Sequence, residues 1–296
     1  MKNLIPKTIY YCWFGGEKPQ NVLDCIHNWQ NMLPEYKIVE INETTFDVEQ
    51  AKKDNLWFKT CYENKIWGVA IDYVRLKVLY ENGGVYFDTD VTVEKDITDL
   101  VEKNKLIVGW EDCRSIGCGI VICPPKDKNI KKMLDFLSNE IWQTDKSTGP
   151  HCFTYILNKY YKLLSYKEIT DNDDIIVLPP DYFCPLGIGS IEKDKANFIT
   201  SNSYTIHWWS GTWCKSNIDY FMKHKHKVKL NRLLKMCFEK KLIINNPFIK
   251  IEKLFKNYTI NIDFYYMCKF KYKYYKRNRW LTVFVLGIQI PLWRVK

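Results

Sequence analysis

Two aspartates separated by one residue, Asp88 and Asp90, close an apolar run that begins at a double glycine, Gly83-Gly84. In a strand running on to Glu94, Val85, Phe87, Thr89, Val91 and Val93 share one face. Tyr86, Asp88, Asp90, Thr92 and Glu94 share the other, because side chains alternate along a strand. Two carboxylates on one side of a sheet repel unless a cation or water separates them. A hard divalent ion, Mn²⁺ or Mg²⁺, relieves that repulsion through oxygen ligands and can hold a diphosphate as well. A bare Asp-x-Asp also reads as a solvated strand end. The double glycine, the apolar strand and the position at its C-terminal end favour the ligand site, since ligands of α/β sheets gather there.

A second polar pair lies just upstream. Asp72 and Arg75 sit inside an apolar stretch holding Val69, Ala70, Ile71, Tyr73, Val74, Leu76, Val78 and Leu79. Such a stretch predicts a buried helix. Three residues apart, the two charges share one face of it and can pair. Gly83-Gly84 then stops the helix, because glycine takes the left-handed conformation that a helix end needs.

Other elements must position these residues. Thr8–Phe14 reads as a buried strand, Asn21–Leu33 as an amphipathic helix and Lys37–Ile41 as a second strand, together a βαβ unit. Further strands are expected at Leu106–Trp110, Gly119–Cys123, Ile175–Leu178 and Tyr204–His207. Helices are expected over Thr44–Lys65, Asn129–Trp142 and His151–Leu164. Thr148-Gly149-Pro150 opens the last of these. Its free backbone N–H groups await either an anion or a cap.

These residues, taken together, resemble glycosyltransferase family 32. The resemblance runs through Asp72-x-x-Arg75 and Gly83-Gly84-Val85-Tyr86-Phe87-Asp88-Thr89-Asp90. It extends to an opening strand at Ile5–Gly16, to Thr148-Gly149-Pro150 and to a closing His-Trp segment, Ile206–Trp213. One departure is Cys118, near which family members often carry Asn. The fold it implies is α/β of the GT-A type, a Rossmann-like single mixed sheet flanked by helices. The chemistry it implies is metal-dependent, retaining transfer of a hexose from a nucleotide sugar, a UDP-sugar being favoured. It points to Asp90 as the direct ligand of a Mn²⁺ or Mg²⁺ ion, with Asp88 either contacting that ion through water or holding the donor's ribose and sugar, and to His207 or Ser210 on the far side of the ion's shell. A hydrogen-bonded core histidine is the alternative for His207. Asp72 and Arg75 would bind sugar hydroxyls, and Arg75 would favour the outgoing phosphate. Trp13 would stack on the base, with a plain core tryptophan as the other reading. Tyr86, within the motif, joins the donor-binding set. Trp208, Trp209 and Trp213 would form a lid over the sugar.

Charge divides the chain. Residues 1–220 hold 25 Lys and Arg against 31 Asp and Glu, whereas residues 221–296 hold 19 against 3. A transferase domain over 1–220 and a basic, aromatic-rich extension over 221–296 are therefore expected. The extension would carry a basic helix near 223–229 and a hairpin over Trp280–Trp293 around Gly287. Lys and Arg interleaved with Tyr and Phe suit an anionic membrane surface. The same composition fits a solvated surface or a nucleic-acid site. No apolar run reaches the ~20 residues of a membrane-spanning helix. The 11 cysteines include no Cys-x-x-Cys pair and read as reduced thiols. The expected setting is the cytoplasm, at the inner membrane face. The expected acceptor is a glycan or a lipid-linked sugar, in capsular or other surface polysaccharide synthesis. A protein-modifying transferase of toxin type and a non-enzymatic nucleic-acid-binding protein are the rival readings.

Overall fold

The computed structural model describes residues 4–187 and 198–211, together with the backbone of five strands between 249 and 295. The chain divides into two compact units. Met1–Val48, Trp67–Asn139 and Lys146–Ser216 make the first, and Glu49–Ile66, Glu140–Asp145 and Asn217–Lys296 the second.

The first unit opens with β1 (Thr8–Cys12), α1 (Gln20–Met32) and β2 (Lys37–Ile41). The two strands pair in parallel from Thr8↔Lys37 to Cys12↔Ile41, the expected βαβ unit. Helix α1 has no side-chain cap, so its stability comes from burying Val22, Cys25 and Trp29. In the second unit, α2 (Val48–Asp54) and α3 (Leu56–Glu63) replace the single helix expected over Thr44–Lys65. Asn55 separates them, because its side chain accepts from Phe58 N at 2.7 Å and caps α3.

Back in the first unit, α4 (Trp67–Asn82) is the buried helix the sequence predicts. It stops at Gly83 (φ +66°), and Gly84 (φ +111°) enters β3 (Gly84–Phe87). A Cβ on Gly84 would lie 2.7 Å from the Thr8 carbonyl oxygen, so β3 can approach β1 only through glycine. β4 (Val91–Val93) and the short α5 (Thr98–Val101) follow, then β5 (Leu106–Gly109) and β6 (Ile120–Cys123). α6 (Lys128–Asn139) packs on α4 and on α7 (Gly149–Tyr160). β7 (Thr170–Asp171), β8 (Ile175–Leu178), the single turn α8 (Pro180–Phe183) and β9 (Thr205–His207) complete the unit.

Seven of these strands form one mixed sheet in the order β2-β1-β3-β6-β5-β8-β7. Ile9, Val85, Phe87, Ile107, Ile122 and Ile176 build its core. This is the α/β architecture expected, a single mixed sheet flanked by helices.

The strand expected from Val85 to Glu94 is corrected. β3 ends at Phe87, residues 88–90 turn, and β4 leaves the sheet to pair with β9 in a separate two-stranded ribbon. The Asp88 N–H donates to the Gly119 carbonyl at 2.7 Å, and Val91 N–H folds back onto the Asp88 carbonyl at 3.2 Å. The two acids therefore share a turn and not a pleat. The Trp29 indole N–H, donating to the Val91 carbonyl at 2.7 Å, ties the ribbon to α1.

In the second unit, β10 (Ile249–Leu254), β11 (Asn257–Phe264), β12 (Cys268–Tyr275), β13 (Asn278–Val285) and β14 (Ile288–Val295) form an antiparallel meander in chain order. The expected hairpin is its last pair, with Val283 opposite Ile290. Three more strands precede it. The helix expected near 223–229 lies outside the described residues, as does Trp213. No helix among the described residues is long and apolar enough to cross a membrane.

Candidate functional site

A cavity of about 490 Å³ opens at the ends of β1 and β3, bounded by the first turns of α4 and α7 and by the loop after β9. Trp13, Asp72, Arg75, Tyr86, Asp88, Asp90 and His207 all line it. Residues scattered over some 200 positions of sequence thus meet at the C-terminal edge of one sheet.

Arg75 is its electrostatic centre. Only 4 % exposed, it reaches Asp88 Oδ1 at 3.1 Å and Asp72 Oδ1 at 3.4 Å from one nitrogen, Nη2. Nη1 donates to the Cys118 carbonyl, and the guanidinium lies 4.5 Å from the centre of the Tyr86 ring. Tyr86 is thus a buried platform beneath Arg75 as well as cavity wall. Arg75 Nε is buried and has no hydrogen-bond partner among the described residues.

Asp72 is held from the other side by α7. The Gly149 N–H donates to Asp72 Oδ2 at 2.6 Å, so the open N-terminus of α7 is capped by a carboxylate 77 positions away. A Cβ on Gly149 would meet Asp72 Oδ1 at 2.5 Å, which explains glycine there. Burial pushes the Asp72 carboxyl up to about 6, against the pull of Arg75 and the Gly149 N–H.

Asp90 has different partners. Oδ1 lies 3.1 Å from His207 Nε2, and Oδ2 accepts from the Ser210 N–H at 2.8 Å. Its backbone carbonyl accepts from Trp208 N–H at 2.9 Å. Burial alone would raise the Asp90 carboxyl, but the His207 hydrogen bond and charge and the Ser210 N–H hold it below the usual range. Burial alone would lower His207, yet its bonds to Asp90 and Cys184 hold the imidazole well above its ordinary value. The pair is therefore an imidazolium on a carboxylate, capped by the Trp209 ring 4.0 Å from the His207 ring.

Asp88, Asp90 and His207 each present one ligand atom within 4.8 Å of the others. Two oxygens and an imidazole nitrogen suit a hard or borderline divalent ion. The group fits the metal that the motif implies, provided His207 gives up its proton to ligate.

Ser210 meets the site through its backbone N–H, and its side chain is exposed. Trp208 is no lid over this cavity. Its indole donates to Thr92 Oγ1 at 3.0 Å and the residue packs on the core. Trp209 does line the cavity. Glu111 lines it too, and the sequence reading missed it. It stands two residues past the C-terminal end of β5, where a sheet places ligand-facing groups. Burial pushes its carboxyl up to about 7. Gly119 was also missed; a Cβ there would lie 2.9 Å from Asp88 Oδ2.

Residues 19–107 match the protein family described as the glycosyltransferase sugar-binding region containing a DXD motif. Among curated proteins, the chain is 29% identical over 98 residues to inositol phosphoceramide mannosyltransferase 3 of Schizosaccharomyces pombe, covering 33% of this chain and 27% of that one. It is 22% identical over 204 residues to lactosylceramide 4-alpha-galactosyltransferase of Pan troglodytes, covering 64% and 53%. The chain thus spans about half or less of the length of these relatives. Among solved structures, the glycosyltransferase GlyE of Streptococcus pneumoniae TIGR4 overlaps 82% of this chain and 66% of its own at 14% identity, with a TM-score of 0.42. The matched segment runs from α1 to β5 and contains Asp72, Arg75, Asp88 and Asp90. The resemblance to DXD glycosyltransferases holds over that segment, and the first unit is an α/β domain built on one seven-stranded mixed sheet.

Proposed function

We propose that the protein is a metal-dependent, retaining glycosyltransferase that moves a hexose from a nucleotide sugar, a UDP-sugar being favoured, to a glycan or lipid-linked acceptor. The observation that carries this reading is the cluster of Asp88, Asp90 and His207 in the same cavity as the buried Arg75. Asp90, Asp88 and His207 hold Mn²⁺ or Mg²⁺. Such an ion, when bound, stabilises charge on a departing diphosphate by several kcal/mol. Asp72 and Arg75 orient the sugar. Arg75 Nε is a donor unmatched among the described residues, and a buried donor gains most from a ligand that satisfies it. Trp13, whose indole N–H donates to the Gly16 carbonyl at 3.0 Å, presents its ring to the base.

The basic stretch 221–296, with 19 Lys and Arg against 3 acids, would hold the enzyme on an anionic inner membrane face during surface-polysaccharide synthesis. Each cation contributes about 1 kcal/mol near anionic lipid. Co-sedimentation with phosphatidylglycerol vesicles but not phosphatidylcholine vesicles supports that placement. Salt-sensitive binding to DNA without vesicle binding overturns it.

The test of the activity is nucleotide release from a panel of UDP- and GDP-sugars, with Mn²⁺ and with a chelator. Release from one donor, abolished by chelation, is the expected result. Undiminished turnover in chelator removes the metal role, and no release from any donor removes the transferase reading.

A further inference from the structure

A second cavity, of about 520 Å³, lies beside the first in the same unit. Ser115 and His151 line both, so the two share a wall. Their charges are opposite in character. The first holds Asp72, Asp88, Asp90 and Glu111 against Arg75 and His207. The second is lined by Arg114, Lys146 and Lys159 with His151, and by no acidic residue among the described ones. The three cations come from separate segments: the turn between β5 and β6, the approach to α7, and the last turn of α7.

The neutral polar groups of this groove are largely engaged within the fold. Thr154 Oγ1 donates to the Pro150 carbonyl at 2.7 Å and accepts from the Ile116 N–H at 2.8 Å. Asn158 Nδ2 donates to the Thr154 carbonyl at 2.9 Å. The net charge of the groove is carried by Arg114, Lys146 and Lys159. The Arg114 side chain is 84% exposed, and its acidic partner among the described residues, Asp112, stands 3.5 Å away. An exposed contact of that length is weak, so an arriving phosphate, matched by the guanidinium fork, would displace it.

We propose that this groove is the acceptor subsite and that it takes an acceptor bearing a phosphate or diphosphate. The proposal rests on the transferase reading and deepens it. The anionic group would lie among Arg114, Lys146 and Lys159. The sugar attached to it would then reach past Ser115 and His151 to the donor cavity. A neutral glycan has no use for three cations lining one groove. A phosphate-linked sugar matches both the charge and the shared wall. Two sources carry this chemistry, a lipid diphosphate and a soluble sugar phosphate.

The test is calorimetric titration of the full chain with inorganic pyrophosphate in chelator, where the acids of the donor cavity have no cation to bridge them to the probe. The comparison is with the Arg114→Gln, Lys146→Gln, Lys159→Gln triple variant and with Asp90→Asn. The triple variant should bind at least ~10-fold more weakly, while Asp90→Asn should bind like the parent, because charge neutralisation acts only where the anion sits. A melting scan checks that the triple variant is folded. Equal affinity in parent and triple variant overturns the proposal, as does loss of binding in Asp90→Asn alone. Displacement of pyrophosphate by dodecyl diphosphate at lower concentration than by glucose 1-phosphate assigns the lipid source, and the reverse order the soluble one. Failure of the transferase reading shows elsewhere, as absence of nucleotide release by the parent protein with Mn²⁺.

Discussion

The two aspartates of one motif live in different electrostatic worlds. Asp88 and Asp90 each stand 3.1 Å from a cationic partner, the first from Arg75 and the second from His207. Arg75 keeps its charge at any pH a protein survives, is 4 % exposed, and is shared with Asp72. His207 can lose its proton and then offers a lone pair where it had offered a charge. The Asp88 partner is thus permanent and the Asp90 partner conditional. One side of the motif is fixed framework, and the other pairs with a group that can give up its charge. A bare Asp-x-Asp pattern hides this asymmetry.

Asp90→Asn should break the conditional side most severely. The amide keeps the shape, and its oxygen can still accept from the Ser210 N–H. Metal-dependent nucleotide release should nevertheless fall by about 10³-fold or more, the scale of charge stabilisation by a bound cation. The melting temperature should change little. Retained turnover in this variant would leave Asp90 outside the metal site.

Arg75→Met tests the permanent side. It leaves Asp72 and Asp88 without their shared cation, and removal of one partner from a buried pair costs about 3–5 kcal/mol. Urea unfolding should show that loss. His207→Gln should cost nearer 1 kcal/mol, since a neutral hydrogen bond to Asp90 survives. Equal losses from the two variants would erase the distinction between framework and exchangeable partner.

The sequence exposed the framework better than the exchangeable side. Helix α4 was legible because apolar groups surround Asp72 and Arg75, and a charged pair inside such a helix has few outlets besides each other. Gly83-Gly84 marked its end for a backbone reason that needs no tertiary information. The turn at residues 88–90 was illegible because alternation persists across it: Val85, Phe87, Val91 and Val93 are all buried, though they belong to two different sheets. The capping of α7 by Asp72 joins residues 77 positions apart, and no local pattern encodes it. Glu111 carries no motif; only the position of β5 in the sheet makes it a cavity residue. The meander of the second unit was half legible. Lysine–aromatic alternation reads as charge before it reads as strand, so only its last, apolar pair was recognised.

Gly149→Ala sharpens the framework side from a distance. The added methyl would press on Asp72 Oδ1 at 2.5 Å and on the Cys118 thiol. Overpacking of this kind costs about 1–3 kcal/mol. Asp72 would have to move off the α7 N-terminus, carrying Arg75 with it. Stability and donor affinity should therefore fall together. Adding Cys118→Ala should restore part of the stability, because it relieves the contact with sulfur but not the one with the carboxylate. Full restoration would show that Asp72 was never displaced.

A last effect separates framework from cavity wall by pH. Glu111 has a folded value near 7 against 4.5 when exposed, because burial disfavours its anion. The folded state therefore binds more protons at this position than the unfolded chain does. Stability from this group is intact below about pH 4.5 and declines as pH rises towards 7, where the buried carboxylate must ionise. Glu111→Gln removes that decline. In chelator, the variant should match the parent in urea unfolding at pH 4.5 and exceed it by on the order of 2 kcal/mol at pH 8. Asp72 titrates in the same range but is present in both proteins, so all but its charge interaction with Glu111 cancels from the difference. A gap between the two proteins that stays constant from pH 4.5 to 8 would mean that Glu111 ionises as freely in the fold as in water.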